Sequence, residues 1–143
     1  MGQDARVDPT ETGNSTEGRF HPPGDLVIRK ISSATGVQAT VSGAAGVGGQ
    51  KAVVTTFAFT VAAATQLAAG TIGCYVIDGA SGGTSYLWSE VIAITTTGAR
   101  VSMNGLNLLG SSNTAVTIEF SAGVTNANQS VNLAYHFLGG GGV

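Results

Sequence analysis

The sequence predicts an all-β fold, an antiparallel β-sandwich or a jelly-roll-like domain, preceded by an extended N-terminal arm. Three observations favour this fold. Segments rich in β-branched and aromatic residues recur along the chain between clusters of Gly, Ser, Asn and Asp. Two late segments alternate between apolar and polar residues with a period of two, which is typical of strands with one buried face. The composition also changes sharply near residue 25, where a charged part gives way to a body with few charges.

Residues 1–24 are the predicted arm, and residues 25–143 are the predicted β-sandwich domain. The arm contains all three prolines and few apolar residues. Alone it cannot bury enough apolar surface to offset the entropy of ordering it, so one interpretation is a loose terminus without a partner. The other, which we favour, is an arm that becomes ordered on another protein. Its expected partner-binding residues are Arg6, Arg19, Phe20 and His21.

Eight strands are predicted in the body, and they share a length of five to eleven residues and flanking turn signals. They cover residues 26–31, 37–41, 52–61, 71–77, 86–96, 100–109, 115–122 and 130–138. Eight short strands at this spacing are typical of a sandwich or a jelly roll, and the sequence does not rank these two topologies. The Ala-rich stretch 62–69 could form one or two helical turns instead.

The last two predicted strands show which faces are buried. In the strand 115–122, Val116, Ile118 and Phe120 lie on one face, and Glu119 falls on the polar face, where we expect it to be solvated. In the strand 130–138, His136 falls on the polar face, which predicts an exposed or interfacial histidine.

The strand 71–77 is apolar on both faces. Ile72 and Cys74 point one way, while Tyr75 and Ile77 point the other. In a two-layer sandwich only one face of a strand is covered. The sequence therefore predicts that the second face is covered by something else, most simply a neighbouring subunit.

The body contains few residues that could carry catalysis or bind a metal. Glu90 and Glu119 are the best candidate pair for glycoside hydrolysis, and His136 with Asp78 is the best start of a triad. His21 and His136 lie far apart, and no metal-ligand spacing occurs. We therefore expect a protein that is not an enzyme and needs no metal or cofactor.

The remaining reactive or aromatic residues have simple structural interpretations. Cys74 lies in an apolar strand, which predicts a small buried hydrophobic side chain. Trp88 is expected in the core or at an interface in preference to a sugar-binding platform, for which Tyr75 and Tyr86 are the other candidates.

The charge content restricts the partners. Only 10% of residues are charged, against roughly 25% in an ordinary soluble domain, and the net charge is −2. A slightly acidic chain is a poor ligand for nucleic acid or for an anionic membrane, and no apolar stretch is long enough for a membrane span. A surface with so few charges is better suited to a subunit whose sides are covered by copies of itself.

The polar arm 1–24, followed by a Gly/Ala/Thr/Val-rich β body that ends at Leu138, resembles the head-decoration (cement) and tail-appendage proteins of tailed bacteriophages. The resemblance implies a virion protein that forms a homotrimer on the capsid surface, contacts the major capsid protein through an extended terminus and stabilises the shell without catalysis. Two alternatives remain. One is a receptor- or glycan-binding appendage whose specificity lies in the loops 78–85 or 123–129, and the other is a coat or tail-tube subunit.

Overall fold

The computed structural model describes residues 25–139, which fold into nine β-strands without a helix among them. The first five strands are β1 (Leu26–Ile31), β2 (Thr40–Ser42), β3 (Lys51–Ala63), β4 (Gly70–Asp78) and β5 (Tyr86–Ile94). The last four are β6 (Gly98–Met103), β7 (Leu108–Ser112), β8 (Val116–Phe120) and β9 (Ala127–Leu138). The predicted all-β fold is confirmed. The arm, residues 1–24, lies outside the described residues, and nothing in them tests the domain boundary at residue 25. Both stay predictions.

The strands pair as a ribbon of nested antiparallel partners. β1 pairs with β9, β2 with β8, β3 with β6 and β7, and β4 with β5. Rolling this ribbon up adds two further pairs, β3 with β9 and β4 with β8. The result is a five-stranded sheet in the order β1-β9-β3-β6, with β7 also on β3, and a four-stranded sheet in the order β2-β8-β4-β5. This arrangement is a jelly roll, which decides between the two topologies that the sequence left open.

The core lies between the two sheets and contains four aromatic rings in contact. Phe57 and Phe59 of β3 meet Trp88 of β5 at ring-centroid distances of 4.6 and 5.8 Å, and Phe120 of β8 lies edge-on to Phe59 at 5.3 Å. Alternation places these rings inward, because every second residue of a strand faces the same side. Val116, Ile118 and Phe120 are all buried there, as the pattern predicted.

The edge strand beside β3 is interrupted. The sequence predicted one strand over 100–109, whereas the structure has two, because β3 carries an irregularity between Val54 and Thr56 and its partner breaks between β6 and β7. The helical alternative for 62–69 was wrong, since Ala62 and Ala63 continue β3 and no helix is assigned to the rest of the stretch.

The second apolar face of β4 is covered largely from within the chain, which corrects the expectation of a neighbouring subunit there. Ile77 is 0% exposed, although it points away from the core. The connection between β4 and β5, residues 79–85, folds back over this face, so that Gly83 lies against the Ile77 side chain. The Asp78 amide donates to the Ser85 carbonyl at 2.8 Å and closes the base of this loop.

Candidate binding surfaces

The outer face of the five-stranded sheet has an apolar end. Pairing places Val27 of β1, Val53 of β3, Leu109 of β7 and Leu138 of β9 on this face, at the end where β9 finishes. Val27, Leu109 and Leu138 are 67%, 49% and 55% exposed, Val53 is 2% exposed, and the exposed Lys51 lies opposite Leu138 on the same face. Single exposed apolar residues are ordinary, but several on neighbouring strands form a patch that a partner protein can cover. We call these four residues the apolar end.

A close contact between a histidine and a carboxylate lies beside the apolar end. The Nδ1 atom of His136 is 3.3 Å from the Oδ1 atom of Asp25, and the side chains are 29% and 7% exposed. Within residues 25–139 neither atom makes an aligned hydrogen bond. The sequence predicted an exposed or interfacial His136. It did not predict the contact with Asp25, because the two residues are 111 apart in the sequence and come together only through the β1–β9 pairing. This pair marks the point at which residues 1–24 join the domain.

The other end of the same outer face forms a groove between two arginines. Arg29 of β1 and Arg100 of β6 stand on opposite sides of a half-open pocket of about 240 Å³. Its other lining residues are small, polar or aliphatic: Ile31, Ala58, Thr60, Ser130, Val131 and Asn132. Among residues 25–139 the one contact between a basic side chain and a carboxylate within 4.0 Å is that of His136 with Asp25, so no described carboxylate pairs with either arginine. We call this pocket the arginine groove.

On the opposite sheet, Glu119 holds the 79–85 loop in place. Its Oε1 atom accepts hydrogen bonds from the hydroxyls of Thr40, at 2.9 Å, and Ser81, and its Oε2 atom accepts from the Gly82 amide at 3.0 Å. Glu119 is 4% exposed. The predicted face was right, but the expectation of a solvated side chain was wrong, because strand alternation does not reveal that a loop covers the outer face.

Two tyrosines stack on the outer face of the four-stranded sheet. The rings of Tyr75 and Tyr86 lie 4.8 Å apart and 19° from parallel. Tyr75 lies over Gly73, where a Cβ atom would come within 2.5 Å of the phenol oxygen, and Tyr86 is 44% exposed. Trp88, by contrast, packs against the core, as one of the two sequence interpretations had it. An irregularity between β4 and β5 brings Leu87 and Trp88 both inward and leaves Tyr86 outside.

The residues considered for catalysis are not brought together. Glu90 pairs with Cys74, which faces the core, and Glu119 pairs with Tyr75, which faces outward, so the two carboxylates lie on opposite faces of the sheet. Asp78 accepts hydrogen bonds from the amide and hydroxyl of Ser111 at 3.0 and 2.6 Å. Residues 25–139 contain no group of three His, Cys, Asp or Glu side chains that could hold a metal ion.

Cys74 is completely buried in the core, in agreement with the sequence interpretation. Burial, with a smaller contribution from the Glu90 carboxylate, raises the pKa of the Cys74 thiol to about 12. The thiol is therefore neutral at physiological pH and unsuited to act as a nucleophile.

The four predicted arm residues, Arg6, Arg19, Phe20 and His21, lie outside the described residues, and their role stays a prediction. Within residues 25–139 the structure has no helix with the length and hydropathy needed to cross a bilayer.

Comparison with known proteins gives no family. No family model and no curated protein match the chain. Among solved structures, a CBM4 structure is similar with a TM-score of 0.36 and 11% identity, over 82% of this chain and 74% of that one. The family 11 carbohydrate-binding module of Clostridium thermocellum, in complex with a β-1,3-1,4-mixed-linked tetrasaccharide, gives 0.33 and 12%, over 83% and 86%. A chain of the cyanophage Pam1 capsid asymmetric unit gives 0.36 and 15%, over 90% and 97%. Our assignment of the fold rests on the strand order of this chain.

Proposed function

We propose that the chain is a virion structural protein, a capsid decoration (cement) protein that assembles as a homotrimer on a phage head and stabilises the shell without catalysis. The observation that carries the proposal is the apolar end of the five-stranded sheet, together with the point at which residues 1–24 join the domain. Three exposed apolar side chains and residue 25, which follows the arm, share one end of one face, so a partner that covers this end also reaches the junction with the arm.

The charge distribution supports this role. Residues 25–139 hold four basic and four acidic side chains, and two of the acidic ones, Asp25 and Glu119, are engaged in buried contacts. The strand positions on the outer face of the five-stranded sheet hold no carboxylate. A surface with few charges resists association weakly, and a specific interface needs about 800 Å² from each partner. Once the domain has docked, the arm adds contacts at high effective concentration.

The test is the solution mass of the full chain by light scattering at several concentrations. We expect a trimer, about three times 14.2 kDa. Leu109→Asp should shift the mass towards the monomer, because it places a charge in the covered patch. Val91→Asp is the matched control, since Val91 is 64% exposed but lies on the other sheet. A monomer at every concentration, or equal losses of mass in both variants, would contradict the proposal.

A receptor- or glycan-binding appendage is the second candidate, and the stacked pair Tyr75 and Tyr86 favours it. Sugars bind through the faces of aromatic rings that lie flat on a rigid surface, and Tyr86 is exposed beside the 79–85 loop. Binding on a glycan array that is lost in Tyr86→Ala and kept in Tyr135→Phe, a core tyrosine, would support this candidate. Absence of binding to any glycan would count against it.

A further inference from the structure

We infer that the arginine groove is a binding site for an acidic oligosaccharide, a sugar chain that carries carboxylate or sulfate groups. The inference goes beyond the shell role and does not depend on it. The described residues that line the site belong to β1, β9, β3 and β6. It is therefore separate from the stacked tyrosines, which lie on the opposite sheet.

The groove combines two cations with a polar floor. Strand pairing sets two rows across the sheet: Arg29 lies opposite Asn132, which lies opposite Ala58, and Ser130 lies opposite Thr60, which lies opposite Arg100. The arginines are three strands apart and in neighbouring rows, so their Cα atoms stand roughly 16 Å from each other at the usual strand spacing and rise. Both side chains line one pocket, so a ligand with anionic groups at two points can meet both guanidinium groups.

The residues between the two arginines favour an acidic sugar chain over an acidic peptide or a nucleic acid. The backbone groups of β9 and β3 are used in ladder pairing on both sides, and those of the edge strands β1 and β6 point outward in the plane of the sheet, so the face itself offers an extended peptide no backbone partners. Thr60 and Ser130 provide hydroxyls and Asn132 an amide, which both donate and accept hydrogen bonds as sugar hydroxyls require. Ala58 leaves room between them. None of the described residues that line the groove is aromatic, which disfavours a nucleic acid, because single-stranded bases are held by stacking on aromatic rings.

The pocket size suits one sugar unit with its substituent. At about 240 Å³ it is smaller than the pockets of about 300–1,000 Å³ that enclose drug-sized ligands. Because it is half-open, the neighbouring units of the sugar chain can continue over the sheet face. The exposed side chain of Ile31 provides an apolar wall against which the ring of such a unit can pack.

The test is calorimetric titration of the full chain with three oligosaccharides of equal length: tetragalacturonate, a sulfated heparin tetrasaccharide and neutral cellotetraose. We expect at least one acidic ligand to bind and cellotetraose to bind much more weakly. The Arg29→Gln/Arg100→Gln double variant should lose at least about tenfold in affinity per arginine, because each charged hydrogen bond is worth that factor or more. Which acidic ligand binds identifies the anionic group.

The matched control is Lys30→Gln/Lys51→Gln, which removes the same two charges. Lys30 neighbours Arg29 but points to the other side of β1, and Lys51 lies at the far end of β3. We expect this control to keep the affinity. Equal losses in both double variants would show general electrostatic attraction and overturn the inference. So would equal binding of cellotetraose, or no binding of either acidic ligand.

Tyr86→Ala separates this site from the glycan candidate proposed for the other sheet. If acidic oligosaccharides bind in the groove, Tyr86→Ala should leave their affinity unchanged. A loss in Tyr86→Ala with none in the double arginine variant would overturn the groove and support the tyrosine site instead. All of the substituted residues are exposed, and circular dichroism of each variant checks that the fold is kept.

Discussion

Removing the Glu119 carboxylate should release the 79–85 loop from the four-stranded sheet. The carboxylate accepts three hydrogen bonds, two of them from Ser81 and Gly82 in the loop itself. Glu119→Ala leaves these donors without an acceptor and uncovers the outer side of Ile77. The loop is then held at its base by the Asp78–Ser85 bond and by the bond from the Thr117 hydroxyl to the Gly79 carbonyl.

The size of the effect follows from the number and exposure of these donors. Three hydrogen bonds to a charged group, at about 1.5 kcal/mol each, would sum to between 4 and 5 kcal/mol, roughly. Ser81 and Gly82 are exposed residues whose donors can turn to water, so we expect a loss of about 2–3 kcal/mol in the free energy of unfolding. For a chain of this length that lowers the melting temperature by roughly 4–12 °C.

The assay is urea unfolding together with amide hydrogen exchange of Gly82. Glu90→Ala is the control, because Glu90 is an exposed carboxylate on the same sheet and should change stability by no more than about 0.5 kcal/mol. The Gly82 amide should exchange faster in Glu119→Ala and at its normal rate in Glu90→Ala. If both variants have equal stability and equal Gly82 exchange, the Glu119 contacts do not anchor the loop and the reasoning is refuted.

Two further predictions concern the core. Cys74 should not react with a thiol reagent at pH 8 until the protein unfolds. Burial raises the pKa of the Cys74 thiol to about 12, so the folded protein keeps a proton that the unfolded chain releases above about pH 8.5. The free energy of unfolding should therefore fall between about pH 9 and 12, by up to about 1.4 kcal/mol per pH unit. An equally steep decline in a Cys74→Ala variant would contradict this. Trp88→Ala should lower the free energy of unfolding, measured in urea, by about 2–3 kcal/mol, since the half-buried ring packs on Phe57 and Phe59. Tyr86→Ala should lower it by less than about 1 kcal/mol. The reverse order of the two losses would place Tyr86, not Trp88, in the core.

Most strands could be predicted from the sequence because their cause is local. The strand Leu26–Ile31 has the predicted bounds, and the inward faces of β8 and β9 follow from alternation alone. Where the prediction failed, the cause was a contact between distant parts of the chain. The break between β6 and β7 reflects an irregularity in β3, and the burial of Glu119 depends on a loop almost forty residues earlier in the chain.

The candidate sites were harder to predict than the fold for the same physical reason. Arg29 and Arg100 are 71 residues apart, and nothing in their neighbours' sequence relates them. They reach one groove only because β9 and β3 lie between β1 and β6, an order produced by rolling the nested ribbon. Hydrophobic periodicity reports which face of a strand is buried, but it carries no information on strand order. An exposed arginine on the outer face of a strand therefore looks like ordinary surface charge until the order is known, and then two such residues on different strands define a site.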